Sequence, residues 1–209
     1  MKSFIFSLLL ASIFCFDGII TPPPEILTKE TAKCFLNANV TFLISRIYFE
    51  LGKVDDNGVQ NLRTALAEGF MRVYPYVYPS MYTGPKDQVK DVVEALKGIK
   101  VQCIFIDINI KSWREFKNMN IQALRDLINA YKAAGFQIGI IGTRHMWEQA
   151  FGSWELGNYP LIYESLDGKR DFNDFRPFGG FKEPAGKHYS DKELCGYKVQ
   201  MVYMPKLIC

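Results

Sequence analysis

The run Val101-Gln-Cys-Ile-Phe-Ile-Asp-Ile-Asn109 is almost wholly apolar until it ends in two polar side chains two residues apart. Side chains of a strand alternate faces at about 3.3 Å per residue, so Asp107 and Asn109 point the same way, about 6.6 Å apart along the strand. Two carboxylates so placed could divide the cleavage of a sugar linkage between them, one protonating the leaving oxygen and the other serving its partner's face of the ring. Asn109 supplies an amide instead, which has no acidic proton to give. Asp17, in Phe16-Asp17-Gly-Ile-Ile, is a further acid on what reads as a strand. Other chemistries find less support. His145 and His188 are the two histidines and lie far apart, no Cys-x-x-Cys occurs, and no Ser sits in Gly-x-Ser-x-Gly. Neither a metal nor a cofactor is therefore expected.

The elements that must position these acids follow from hydrophobic patterning. Phe16 to Ile20 reads as a first strand, followed by the stiff turn Thr21-Pro-Pro-Pro24 and a helix from about Glu25 to Asn37. Val40 to Phe49 is the next apolar run, Asp55 to Gly69 a helix closed by its glycine, Met71 to Tyr78 a strand and Pro85 to Leu96 a helix. After Val101 to Asn109 come an amphipathic helix over Asn120 to Ala134 and a strand over Phe136 to Ile141. Strands alternating with helices predict βαβ units and a parallel sheet. From Met146 onward Gly, Pro and aromatics dominate, with short strands expected at Pro160 to Leu166, Phe175 to Phe181, Gly186 to Ser190 and Lys198 to Met204. The fold class is α/β, a TIM-like (β/α) barrel whose last third has short strands and few helices. Functional residues of such barrels lie at the C-terminal strand ends, where Asp17, Asp107 and Asn109 are expected.

The 209 residues, 48% hydrophobic and 22% charged, suit one globular domain with a substantial core. A formal charge of +3 without a Lys/Arg block does not point to nucleic acid. One Lys and then a dozen apolar residues ending near Cys15 read as a secretory signal peptide over residues 1–15, with the domain over 16–209, no membrane attachment of the mature form and extracellular localisation. An oxidising compartment permits pairing among Cys34, Cys103, Cys195 and Cys209. Cys103, within an apolar strand, is expected as a buried free thiol, and Cys34 with Cys195 is the preferred bridge. Asn39-Val-Thr41 is an N-glycosylation sequon.

Several segments carry a family resemblance by their order and spacing: Phe16-Asp17; Thr31-Ala-Lys-Cys34-Phe-Leu-Asn37; Ile44-Ser-Arg46-Ile-Tyr48; and Gly52-Lys-Val-Asp55-Asp-Asn-Gly58-Val-Gln-Asn61. Further along are Gly69-Phe, Tyr76-Val-Tyr-Pro79, Asp107-Ile-Asn109 with Ser112-Trp113, Gly139-Ile-Ile, Trp147, Phe178-Gly-Gly180-Phe, Pro184 and Cys195-Gly196. Together they resemble glycoside hydrolase family 25, the Chalaropsis-type lysozymes, and within it the nematode and Entamoeba-like branch. Its members cleave the β-1,4 bond between N-acetylmuramic acid and N-acetylglucosamine. The resemblance implies Asp17 at the floor of the site, Asp107 as the first acid of Asp-x-Glu, and Asn109 where the catalytic Glu belongs. It also places Ser165 and Gln200 where acids are expected, with Glu164 turned to the other face, and Ile162-Tyr163 in place of a Trp-Trp platform. Arg46, Tyr48, Tyr76, Tyr78, Trp113, Tyr163, Ser165 and Gln200 are expected to line the cleft, Arg46 neutralising the acids. The implied protein is a secreted, monomeric, antibacterial-defence relative that recognises peptidoglycan or a similar N-acetylated glycan, with muramidase chemistry lost or weak. Two alternatives stand beside it: an active lysozyme using Asp17 and Asp107, and a secreted interaction or signalling module that binds no sugar.

Overall fold

Strand β1 (Phe16–Ile20) and helix α1 (Lys29–Asn37) open a computed structural model in which residues 15–21 and 25–209 are described. Residues 1–14, most of the segment over residues 1–15 expected as a signal peptide, and Pro22 to Pro24 lie outside the described residues. Then follow β2 (Val40–Phe49), the short β3 (Lys53–Val54), α2 (Asp56–Glu68), β4 (Arg72–Val77) and α3 (Pro85–Ala95). Next are β5 (Cys103–Asp107), a 3-10 turn over Ile110–Ser112, α4 (Lys117–Ala133), β6 (Gln137–Ile141) and α5 (Arg144–Phe151). The chain closes with β7 (Leu161–Glu164), β8 (Gly186–Leu194) and β9 (Tyr197–Met204).

The strands form one sheet in the order β1-β9-β8-β7-β6-β5-β4-β2-β3, and β1 also pairs with β2, which closes eight of them into a barrel. The α/β, TIM-like barrel expected from the sequence is thus present. Its pairing is not wholly parallel, because β9 runs antiparallel to both β8 and β1. The cause is local. β8 and β9 are joined by Cys195 and Gly196 alone, at φ 55° and 78°, a two-residue turn with both residues left-handed, as a tight hairpin demands. A parallel return needs a crossover of a dozen residues or more.

Two apolar layers show which way each strand faces. Ile20, Phe42, Ile44, Tyr74, Tyr76, Cys103, Phe105, Ile162, Val202 and Met204 fill the barrel, while Ile19, Leu43, Ile47, Ile104, Ile106, Ile138 and Ile140 pack outward against the helices. Gly18 and Gly139 leave room for interior rings: a Cβ on either would come within 2.2 Å of Phe42 or 2.4 Å of Phe105. Asp55 caps α2, its Oδ1 accepting from the Gly58 N–H at 3.3 Å.

Several local boundaries differ from the sequence reading. α1 starts at Lys29 because Thr28 caps it, and the preceding segment is tied down by the Leu27 N–H donating to Asn61 Oδ1 at 2.7 Å. Arg144–Phe151 is a helix that the weakened pattern did not announce, capped by Thr143 and buried through Trp147 and Phe151. Phe175 to Phe181 is no strand, but holds an isolated bridge between Phe178 and Phe181. Cys34 and Cys195 are bridged, with Cα atoms 6.0 Å apart. Cys103 is not free: it is bonded to Cys209, Cα to Cα 5.7 Å. The carboxyl-terminal residues fold back under the barrel, where Tyr74 donates to the Ile208 carbonyl at 3.0 Å, and that brings the terminal cysteine to the strand.

Candidate functional site

The parallel strands β4 to β7 deliver their C-terminal ends to one mouth. On β5, Cys103 and Phe105 face the interior, so Asp107, two residues further, faces the mouth by the same alternation. Its register partner is Ile141 on β6, and Ile141 pairs with Ile162 on β7. Ile162 faces the interior, so Glu164 shares its face and reaches the mouth, contrary to the expectation that it would turn away. The charge of Glu164 is felt at Asp107, which burial first and Glu164 second push up to about 8. Glu164 is held below its ordinary value by the hydrogen bond from His188, against burial.

His188, 4% exposed, sits between two carboxylates: Nδ1 lies 3.0 Å from Glu164 Oε2 and Nε2 2.7 Å from Asp191 Oδ1. Register explains the row, since Glu164 pairs with His188 across β7 and β8. On the opposite wall Tyr76 and Tyr78 meet edge to face at 5.5 Å. Burial first, and then neighbouring charges that include Asp107, raise both phenols. Arg46 lies 5.4 Å from the Tyr78 ring centroid and 4.0 Å from that of Phe49. Its guanidinium does not pair with Asp107. Nε and Nη2 both donate to Asp55 Oδ2, at 3.0 and 2.9 Å, because α2 starts beside β2 and presents its capping acid there.

Asn109 stays near the mouth within reach of the Tyr78 hydroxyl. Its Oδ1 accepts from the Lys111 N–H at 2.9 Å, capping the 3-10 turn. The amide therefore has structural work of its own.

Other expected cleft residues lie elsewhere. Asp17 is the second residue of β1, not its C-terminal end, and pairs with Val40, the first residue of β2. Gly18 beside it faces the interior, which turns Asp17 outward to Arg170, 2.9 Å away. Burial raises its carboxyl, opposed by the charges of Arg170 and Lys192. Tyr48 turns outward where a bulge between Arg46 and Tyr48 breaks the alternation, and its hydroxyl donates to Asp91 at 3.3 Å. Tyr163 faces outward too, donating to Asp174 Oδ1 at 2.8 Å, and Ser165 also bonds Asp174. Trp113 packs on Phe151 with centroids 4.8 Å apart. Gln200, by contrast, stays at the mouth: it pairs with Ile20, the interior-facing last residue of β1, and with Asp191, and Val202 two residues on also faces the interior. The cleft list thus keeps Arg46, Tyr76, Tyr78, Asp107, Asn109 and Gln200 together, and the structure adds Glu164 and His188. Strand parity alone could have found Glu164: once Ile162 is assigned to the interior, Glu164 must follow.

Acids and tyrosines share the mouth of a closed barrel, a fold that hosts many functions, and similarity defines the class. The family model described as "Lysozyme-like protein 1" matches residues 24–189. The chain is 32% identical to Lysozyme-like protein 5 of Caenorhabditis elegans, over 98% of this chain and 100% of that protein. It is also 32% identical to the probable GH family 25 lysozyme 4 of Dictyostelium discoideum, over 76% of each. In three dimensions it matches a family GH25 lysozyme from Aspergillus fumigatus with a TM-score of 0.68 at 16% identity, covering 93% of this chain and 96% of that one. The chain belongs to the lysozyme-like proteins of glycoside hydrolase family 25.

Proposed function

We propose that this chain is a secreted protein of antibacterial defence that recognises peptidoglycan or a related N-acetylated glycan at the barrel mouth, with muramidase activity weak or lost. The reading is carried by Asn109, an amide where a proton donor is needed, whose oxygen is already committed to the Lys111 N–H. A missing general acid removes two to four decades of rate, roughly 3 to 5 kcal/mol of transition-state stabilisation. The remaining mouth keeps groups that suit a sugar: Tyr78 offers a half-buried ring face beside the carboxyl of Asp107. Asn39 is exposed on the turn after α1, at φ 61°, and is assigned as a glycan attachment point of the exported chain.

The test is co-sedimentation with purified peptidoglycan, followed by release of reducing ends from the same mixture. The protein is expected in the pellet, with turnover no more than about a hundredth of that of an active relative. A protein that stays in the supernatant and releases nothing would instead be an interaction module. Turnover equal to an active relative would overturn the loss of activity.

A further inference from the structure

We propose that Asp107 and Glu164 form a catalytic pair peculiar to this mouth, Asp107 donating the proton and Glu164 activating water, so that slow cleavage of a β-1,4-linked N-acetylated glycan proceeds without an acid at position 109. The inference rests on the glycan-binding reading above and deepens it.

Three strands bring the pair together. Asp107, Ile141 and Ile162 lie in register across β5, β6 and β7, and Glu164 follows Ile162 on the same face. Two strand spacings sideways and two residues along the strand separate the backbones by about 12 Å before the side chains lean inward. That leaves a span suited to an interposed water and sugar carbon rather than direct attack by a carboxylate. Asp107 engages in no hydrogen bond or ion pair among the described residues, yet its side chain is not sealed from solvent. Glu164 is oriented by His188, and its side chain keeps 45% exposure. The protonation states agree with the roles: Asp107, pushed up to about 8, carries its proton at neutral pH, while Glu164 is held ionised. The groups facing this pair are Tyr76 and Tyr78 from β4, Arg46 from β2 beside Tyr78, and His188 and Asp191 from β8.

The step balances without a cofactor. The bond from the anomeric carbon to the bridging oxygen breaks, and Asp107 gives its proton to that oxygen. Water forms the new bond to the anomeric carbon and yields a proton to Glu164. Transfer of that proton through solvent to Asp107 restores both groups.

Glu164→Gln and Asp107→Asn, compared with wild type at high protein concentration, test the pair. Reducing-end release and co-sedimentation with purified peptidoglycan are measured together, and thermal melts check folding. Wild type is expected to show slow turnover that declines as pH rises through about 8. Each variant should lose at least about tenfold in turnover while its pelleting stays within about twofold. Wild type that pellets without any turnover overturns the pair, as does a folded Glu164→Gln protein that retains the wild-type rate. Wild type that neither pellets nor turns over removes the glycan-binding reading, and the pair with it.

Discussion

Replacing Asp107 by Asn should reshape the pH dependence of stability more than any other single change at the mouth. The folded protein moves the Asp107 carboxyl from 3.8 to about 8, because burial disfavours the charged form and the Glu164 charge repels it. That step is roughly four pH units, and at about 1.36 kcal/mol each it sets a ceiling of about 6 kcal/mol. Solvent reaches the mouth, so about half of that, near 3 kcal/mol, is expected in practice. The sign follows from proton binding: between the two values the folded state holds this proton more tightly than the unfolded chain does, so stability falls as pH rises through that window. Below about pH 4 both states carry the proton and the penalty is absent. Asn is nearly isosteric and never ionises, so its variant escapes the decline. About three of those four pH units lie above pH 5, so roughly 2 kcal/mol is lost between pH 5 and pH 9, and at about 2 to 4 °C per kcal/mol for a domain of this size the gap in melting temperature between variant and wild type should widen by about 4 to 8 °C. Scanning calorimetry across that range measures it. Parallel curves for the two proteins would refute the burial of Asp107 as a neutral acid.

Three further outcomes follow from other parts of the molecule. Cys195→Ser opens a bridge spanning 161 residues between α1 and the β8–β9 turn, and chemical denaturation should register a loss of about 2 to 5 kcal/mol. Lys187 is wholly buried with Nζ 2.7 Å from Asp167 and 2.8 Å from Asp174, so Lys187→Met, which leaves two acids facing each other, should lower the melting temperature by several degrees. Asn109→Glu alone should recover less than about a tenth of an active relative's turnover in a peptidoglycan assay, since a proton donor helps only where the sugar is held in geometry. Adding Ile162→Trp should not help: Ile162 is 0% exposed inside the barrel, and a larger ring there would overpack it by about 1 to 3 kcal/mol.

How far the sequence could be read depended on the range of the signal. The barrel was legible because alternating strand and helix periods are local, and the glycine after α2 and the cap at Asp55 are written in single residues. Asp107 was legible for the same reason, since its face follows from two neighbours. The face of Tyr48 was not, because a bulge inverts the alternation between Arg46 and Tyr48, and no residue type announces it. The bond between Cys103 and Cys209 was hidden for a different reason: it depends on where the last residues return, 106 positions later in the chain. Arg46 lies beside Tyr78, but its partner is not legible from strand spacing, because Asp55 competes for it from the start of the next helix.

Asp17 shows why a matched position does not carry a role with it. Every strand of a barrel needs its outer face covered, and after β7 the described chain supplies no helix to do so. The segment at 165–175 covers that face instead, with Phe172 5.6 Å from Tyr203 and Phe175 5.0 Å from Tyr163 between ring centroids. Such a segment has few backbone bonds of its own and must be fastened by side chains. The outward residues of β1, β7 and β8 provide the fastenings. Asp17 takes Arg170, Tyr163 bonds Asp174, and Lys187 takes Asp167 and Asp174. Lys187 keeps its charge because the two acids more than offset the burial that would remove it. An acid engaged in this outer lattice cannot also face a sugar at the mouth. Whatever acid–base chemistry this chain retains must therefore come from strands whose ends do converge there, where Asp107 on β5, Glu164 on β7 and Asp191 on β8 bring carboxyls to the mouth, the last two on either side of His188.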